Sequence, residues 1–270
     1  MAIQPVLSEL SPHLGDIKMR AYYAEQVYDK ETAVGTHIHS FFEIYVNVSG
    51  DVSFLHDREI YDIQPFDIVL SHPSDVHYCI FHSTCTHGHF CVWFASEAIG
   101  EFLMRRGIKG RIRPSIDNRE KIMHILNLLC SDETDPFIRT AKLIELITLL
   151  DDEEGKAVLD RSSNRMRLIL KYIDEHIVEL NGINDVAKEF LIAESTIYKM
   201  FHTQLGISFN KYIETRRLAL AERLLRADSS VTDACFLSGF SDCSRFISKF
   251  KEKFGTTPLK YKKMMFERKG

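Results

Sequence analysis

Residues 183–201 read INDVAKEFLIAESTIYKMF and residues 231–255 read VTDACFLSGFSDCSRFISKFKEKFG. In the first stretch Asn184 is placed to cap a short helix with Val186, Ala187 and Phe190 on its inner side. Leu191–Ala193 then make a turn, and Ile197 and Phe201, four apart, mark the inner side of a second helix. Glu194, Ser195, Thr196, Tyr198, Lys199 and His202 are left facing outward. Such a mixture of donors, an aromatic and a cation suits a DNA major groove better than the uniform charge of a solvated face. In the second stretch Gly239 supplies a turn position tolerant of positive φ, Asp242 caps the next helix, and Phe246 and Phe250 form its inner side. Its outer side offers Cys243, Ser244, Arg245, Ser248 and Lys249.

Between the two lies FNKYIETRRLALAERLL, residues 209–225, with Tyr212, Ile213, Leu218, Ala221, Leu224 and Leu225 at helical spacing. One helix there would fix the separation of the two reading helices. A separation near one turn of DNA, about 34 Å, lets a single chain read successive major grooves. A lone helix-turn-helix pattern arises wherever two helices pack across a small residue, so the pair is the informative feature. Ser195, Tyr198 and Lys199, with Thr196 and His202 beside them, are the expected base contacts of the first unit. Cys243, Ser244 and Arg245 are those of the second, and Arg217, Lys249 and Lys251 are expected to position phosphates.

From about Arg167 to Lys263 the chain resembles the AraC/XylS family of transcription regulators. The resemblance rests on GFSDCSRFISKFKEKFGTTPLKYKK, on Tyr212, Arg217, Leu218 and Ala221, and on Ala187 and Phe201. The family's elements stand here as Gly239-Phe240, Phe250-Lys251 and Gly255, Pro258, Tyr261. Ala193 replaces the serine that usually opens the first reading helix, so that cap is lost or moved to Ser195. Ser248 replaces a basic residue, and Ala234 and Ser238 replace larger aliphatics, which points the second unit toward phosphate contact.

The formal net charge of −4 hides a split: residues 1–160 carry 14 basic and 25 acidic side chains, residues 161–270 carry 20 and 13. A basic C-terminal half is expected if only that half approaches phosphates. The six cysteines form no C-x-x-C pair and no apolar run follows a charged start, so the reading is a cytoplasmic chain with reduced thiols and no membrane segment.

From about residue 17 to 95 short alternating segments separated by Gly, Asp, Pro and Ser argue for an all-β sandwich or barrel. His37, His39 and Glu43 share one face of a strand and its approach, and His77 comes from a later strand. Over roughly Ala33–Ala95 this resembles the cupin jelly roll, whose first motif stands here as His37, His39, Glu43 and Gly50. Pro65 and His77 fit the second motif, with Asp67 where glycine is usual and Phe81 where asparagine is usual. The resemblance implies a small-molecule sensing domain. His37, His39, Glu43 and His77 suffice chemically for a divalent transition metal; the same residues equally line a sugar-type pocket or hydrogen-bond within the barrel. No cofactor is required by the regulator reading. Tyr45, His89 and Trp93 are candidates for the pocket wall.

Helices follow at about 96–151. The last, around Lys142–Leu150, has too many apolar positions for one stripe, which fits a face on the barrel and a face on a second subunit, a homodimer, or else full burial in one subunit. DDEEGKAVLDRSSNR, residues 151–165, reads as a solvated linker. The expectation is thus a two-domain α+β chain. Residues 1–158 form a cupin-like jelly roll with flanking helices, 159–165 a linker, and 166–270 an all-α domain with two helix-turn-helix units joined by a linker helix. It is expected not to be an enzyme but to bind double-stranded DNA under control of a small-molecule effector, a sugar by resemblance, and RNA polymerase if it activates. The alternatives are a metal-dependent cupin enzyme with an attached helical domain, and a scaffold whose basic half binds protein.

Overall fold

The computed structural model describes residues 8–9, 17–28, 38–152 and 164–266. His37 and residues 159–163, where the sequence places one ligand and the domain boundary, lie outside them. The strands are β1 Ser8–Glu9, β2 Lys18–Tyr28, β3 Phe42–Ser49, β4 Val52–His56, β5 Glu59–Asp62, β6 Ile68–Ser71, β7 His77–Phe81, β8 Cys85–Ala95 and β9 Gly110–Ile112. They pair antiparallel in two sheets, β1-β2-β8-β3-β6-β9 and β5-β4-β7. Strand β9 escaped the sequence reading because three residues carry no periodicity; it is positioned by pairing with β6.

Alternation along β3 and β8 decides what each face meets. Ile44 and Val46 of β3 and Phe90, Val92 and Phe94 of β8 pack under helices α1 Glu97–Arg106, α2 Ile116–Cys130 and α3 Pro136–Asp152. Their odd-numbered neighbours turn to the interior between the sheets, where Tyr45 and Cys91 meet Val52 and Phe54 of β4 and Phe81 of β7. Register sets Glu43 opposite Trp93, Tyr45 opposite Cys91 and Asn47 opposite His89. Helix α3 buries Leu143, Leu146, Ile147 and Leu150 against this layer and leaves Phe137, Ile138 and Ile144 exposed. Asp67, which replaces the motif glycine, is buried and takes a two-pronged ion pair from Arg113 at 2.7 Å.

The C-terminal half is helical throughout: α4 Asn164–Glu175, α5 Ile183–Phe190, α6 Glu194–Met200, a π turn Phe201–Leu205, α7 Phe209–Arg226, α8 Val231–Leu237, α9 Cys243–Phe254 and α10 Pro258–Phe266. Asn164 and Arg165, expected in the linker, already belong to α4, whose Met166, Ile169, Leu170 and Ile173 are fully buried. The stripe draws the helix start inward. Asn184 is not the cap of α5; the helix begins at Ile183 after Gly182, and no side chain caps it. Asp242 does cap α9, accepting from the backbone N–H groups of Ser244 at 2.7 Å and Arg245 at 3.2 Å. The cap lost at Ala193 is not replaced, since α6 has no side-chain hydrogen bond at its start. No helix among the described residues is long and apolar enough to cross a membrane.

Gly239 sits at φ +86, and a Cβ there would lie 2.8 Å from the Ile177 carbonyl oxygen and 3.0 Å from the Val178 Cα. Both neighbours are backbone and yield poorly. Gly239→Ala should therefore lower the unfolding free energy by at least ~2 kcal/mol, from left-handed strain and the clash together. Urea denaturation of the full chain checks this, and a variant as stable as the parent would mean that the turn after α8 is not packed this closely on the chain leaving α4.

Candidate effector pocket and nucleic-acid interface

The inward faces of β3, β7 and β8 assemble a buried polar cluster. Glu43 Oε2 lies 3.1 Å from His39 Nε2 and 3.5 Å from His77 Nε2, and it accepts the Trp93 indole N–H at 2.6 Å. His39, Glu43 and His77 each offer a ligand atom within 4.8 Å of the others. Each ring is turned by its far nitrogen: His39 Nδ1 donates to the Phe41 carbonyl at 2.9 Å and His77 Nδ1 to the Asp75 carbonyl at 3.0 Å. A carbonyl only accepts, so both Nδ1 atoms carry the proton and both neutral rings would point bare Nε2 lone pairs at a carboxylate. That geometry calls for positive charge among the three atoms, as ring protons or as a metal ion. Backbone-held Nδ1–H groups are also the usual support of metal-binding imidazoles.

Burial pushes the Glu43 carboxyl up, but His77 and His39 outweigh it and hold it well below the usual carboxylate range. For His77 burial acts downward and Glu43 prevails, so its pKa is raised. His39 goes the other way, lowered chiefly by burial.

Farther along the same interior lies a second polar group that includes residues the sequence reading missed. His87 is buried, donates from Nδ1 to the Ser49 carbonyl at 2.7 Å and meets the Tyr45 hydroxyl with Nε2 at 3.1 Å. His89 stacks on His87 with centroids 4.7 Å apart and on Tyr45 at 5.5 Å. Burial and then His87 bring the His89 pKa down to about 4, so it is a neutral ring. Its Nδ1 and the Nδ2 of fully buried Asn47 make no hydrogen bond among the described residues. Such groups are costly unless something pairs with them. Tyr22 stands over Trp93 at 4.8 Å and completes the wall. Counting by twos from His89 reaches His87, and from Tyr45 reaches Asn47; that signal was present in the sequence. A cleft of about 520 Å³ opens elsewhere, between the β4–β5 hairpin and α4. Its cations are already engaged, Lys109 with Asp57 and Asp75, Arg167 with Glu59.

On the helical half, Ser195, Thr196, Tyr198, Lys199 and His202 are all exposed, while Ile197 and Phe201 are fully buried beneath them. Ser244, Arg245 and Lys251 of α9 are exposed as well. Three expected contacts are drawn elsewhere. Cys243 is half-buried against the core, and Lys249 bonds Glu252 at 2.9 Å. Arg217 donates to the carbonyls of Ile177 at 3.1 Å and Leu180 at 2.6 Å, which ties α7 to the chain leaving α4 rather than extending toward a phosphate.

Family models match both halves, one described as an AraC-like ligand binding domain over residues 22–150 and one as a helix-turn-helix domain over 186–264. The chain belongs to the AraC family of transcription regulators. Curated relatives include the HTH-type transcriptional activator RhaS of Escherichia coli (strain K12 / DH10B) and of Escherichia coli (strain SE11), each 29% identical over 121 residues. The match covers 44% of this chain and 44% of each relative, so it spans less than half of their length. Among solved structures, ToxT from Vibrio cholerae O395 is 12% identical, covering 92% of this chain and 98% of that one with a TM-score of 0.40. The DNA-binding domain of AdpA in complex with a target DNA is 22% identical, covering 37% of this chain and 92% of that one, TM-score 0.36.

In this AraC-family chain the cluster electrostatics are open to direct measurement. Glu43→Gln removes the charge and hydrogen bond that do most to hold His77 up, leaving burial opposed only by the weaker influence of the Asp75 carbonyl and carboxylate. The His77 midpoint should then move from above to below the free-histidine value of 6.5, read from ring proton shifts in an NMR titration. An unchanged midpoint would mean that another charge supports the ring.

Proposed function

We propose that the chain is a sequence-specific transcription regulator whose DNA binding responds to a small polyhydroxylated effector, a carbohydrate, held between the two sheets. One observation carries the DNA half of this reading: two exposed reading helices are mounted on either side of a single rigid helix. At 18 residues α7 is roughly 27 Å long, of the same order as the ~34 Å between successive major grooves. The effector half is supported by aromatic walls at Trp93 and Tyr22, which suit sugar C–H faces, and by the unpartnered Asn47 and His89 atoms, which suit hydroxyls. Exposed Phe137, Ile138 and Ile144 of α3 support a homodimer. The curated relatives are named transcriptional activators, which supports an activating role with RNA polymerase as a further partner. Six free cysteines fit a reducing compartment, the cytoplasm.

Selection of random duplex DNA on the purified protein tests the reading. The expected winner has two elements about one helical turn apart, and binding falls steeply with salt. Lys199→Ala should cost about 1–3 kcal/mol on that duplex and relax preference at one position. An equal loss on every sequence would assign Lys199 to phosphate, and no enrichment of any duplex would overturn the proposal.

A divalent transition metal is a second occupant favoured by the two Nε2 atoms that face Glu43 while their Nδ1 atoms are held by backbone carbonyls. His39, Glu43 and His77 would hold it, with His37 as a fourth candidate. Dialysis against zinc should then load one equivalent, lost in His77→Ala; absence of zinc binding would leave protons as the compensating charge.

A further inference from the structure

Helix α7 is gripped by the barrel along one stripe. Tyr212, Arg216, Arg223 and Arg226 recur at helical spacing on its face toward the N-terminal half. Arg216 bridges Asp57 at 2.8 Å and Asp174 at 2.7 Å, and the Tyr212 hydroxyl reaches the Asp57 carbonyl at 3.5 Å. Arg223 donates to the Ser74 carbonyl at 3.2 Å and lies 3.6 Å from the Asp75 carboxylate. Arg226 donates to the Ser40 carbonyl at 3.3 Å, and the Ser74 hydroxyl bonds the fully buried Glu222 carboxylate.

The residues that grip α7 are bonded, on their other side, to the Glu43 cluster. Ser74 N–H donates to the His39 carbonyl at 2.9 Å, and the Asp75 carbonyl is the acceptor that orients His77. Ser74 and Asp57 both hold left-handed backbone, at φ +67 and +54, a conformation that ordinary side chains resist and that persists only under support from around it. Strand β7 then carries the same connection through its alternation. His77 and Phe81 face the interior, while Tyr78 and Ile80 belong to one continuous core with Leu205, Phe209 and Tyr212. The Tyr78 hydroxyl donates at 2.7 Å to the carbonyl of Leu205, the last residue of the π turn that closes the first reading helix. Asp75 is further braced by His56 at 3.1 Å and Lys109 at 2.9 Å, so a displaced Asp75 cannot settle without breaking these contacts too.

We propose that residues 72–76 and strand β7 form a latch that transmits the state of the His39–Glu43–His77 cluster to α7 and the first reading helix. The proposal deepens the regulator reading and rests on it for its consequence at DNA. Pocket and reading helix share one five-residue strand and one turn, so a change in how His77 or His39 is held must either strain that turn or move its partners on α7.

A double-mutant cycle in the full chain tests it. Glu43→Gln perturbs the cluster, and Tyr78→Phe with Arg223→Ala opens the latch. Two readouts are taken: hydrogen exchange of amides 205–226 without DNA, and the Kd for the selected duplex. Glu43→Gln alone should alter exchange in 205–226 and shift Kd by about five-fold or more, whereas on the open-latch background its effect should fall within about two-fold. Equal effects on both backgrounds, or altered exchange confined to the barrel, would overturn the latch. Should Glu43→Gln fail to fold, Trp93→Phe, which removes only the indole donor to Glu43, takes its place. If no duplex is selected, the regulator reading falls, and the exchange readout still decides the latch by itself.

Discussion

Helix α7 has to satisfy three neighbours at once, and that constraint organises the molecule. Its fully buried Tyr212 and Ala221 join the cores of both helix-turn-helix units, Arg217 ties it to the carbonyls that follow α4, and its arginine stripe meets the barrel. A helix held on three sides cannot rotate without exchanging one set of contacts for another, which makes its position a discrete variable rather than a continuous one. The two reading helices inherit that property because both are packed on it.

The barrel meets a different constraint, that of keeping a carboxylate away from water. An isolated buried charge is costly, and a buried ion pair stabilises only when its remaining lone pairs are satisfied. Glu43 accepts one indole N–H, and positive charge on the imidazole side, favoured at His77, answers the rest; both rings are oriented from behind by a backbone carbonyl. The linkage has two sides. A carboxyl lowered on folding adds stability above its unfolded value and loses it as pH falls; a histidine raised on folding adds stability below its unfolded value and loses it as pH rises. The pair therefore contributes most between the two unfolded values, from about 4.3 to about 6.5.

Much of this was legible in the chain. Period-two alternation put His39 and Glu43 on one face, side-chain chemistry added Tyr45, His89 and Trp93 as candidates for the pocket wall, and helical spacing found Ile197, Phe201, Phe246 and Phe250 as inner residues, all four of these helix residues buried. Composition identified Gly239 and Asp242, whose roles in turn and cap are local matters of backbone geometry. What escaped was set by neighbours distant in sequence. Arg217 looks like a phosphate ligand until the carbonyls of Ile177 and Leu180 come within reach, and Lys249 looks free of α7 until Glu214 is placed 3.7 Å from it. Asn184 looks like a cap because its type favours one, yet burial of Ile183 starts the helix two residues earlier, with Gly182 at the cap position.

Sequence by itself determined the two-part architecture, the double helix-turn-helix and the side of each element that is apolar, because periodicity and turn chemistry act over a few residues. Tertiary structure alone decided that the outer face of β5-β4-β7 is covered by the DNA-binding half, with Leu55, Ile60, Tyr78 and Ile80 in one core with Phe209 and Tyr212. It also decided that Ser74 and Asp75 face Glu222 and Arg223, residues some 150 positions away. Contacts at such separation are selected by shape and charge after both halves have formed, and no local pattern encodes them.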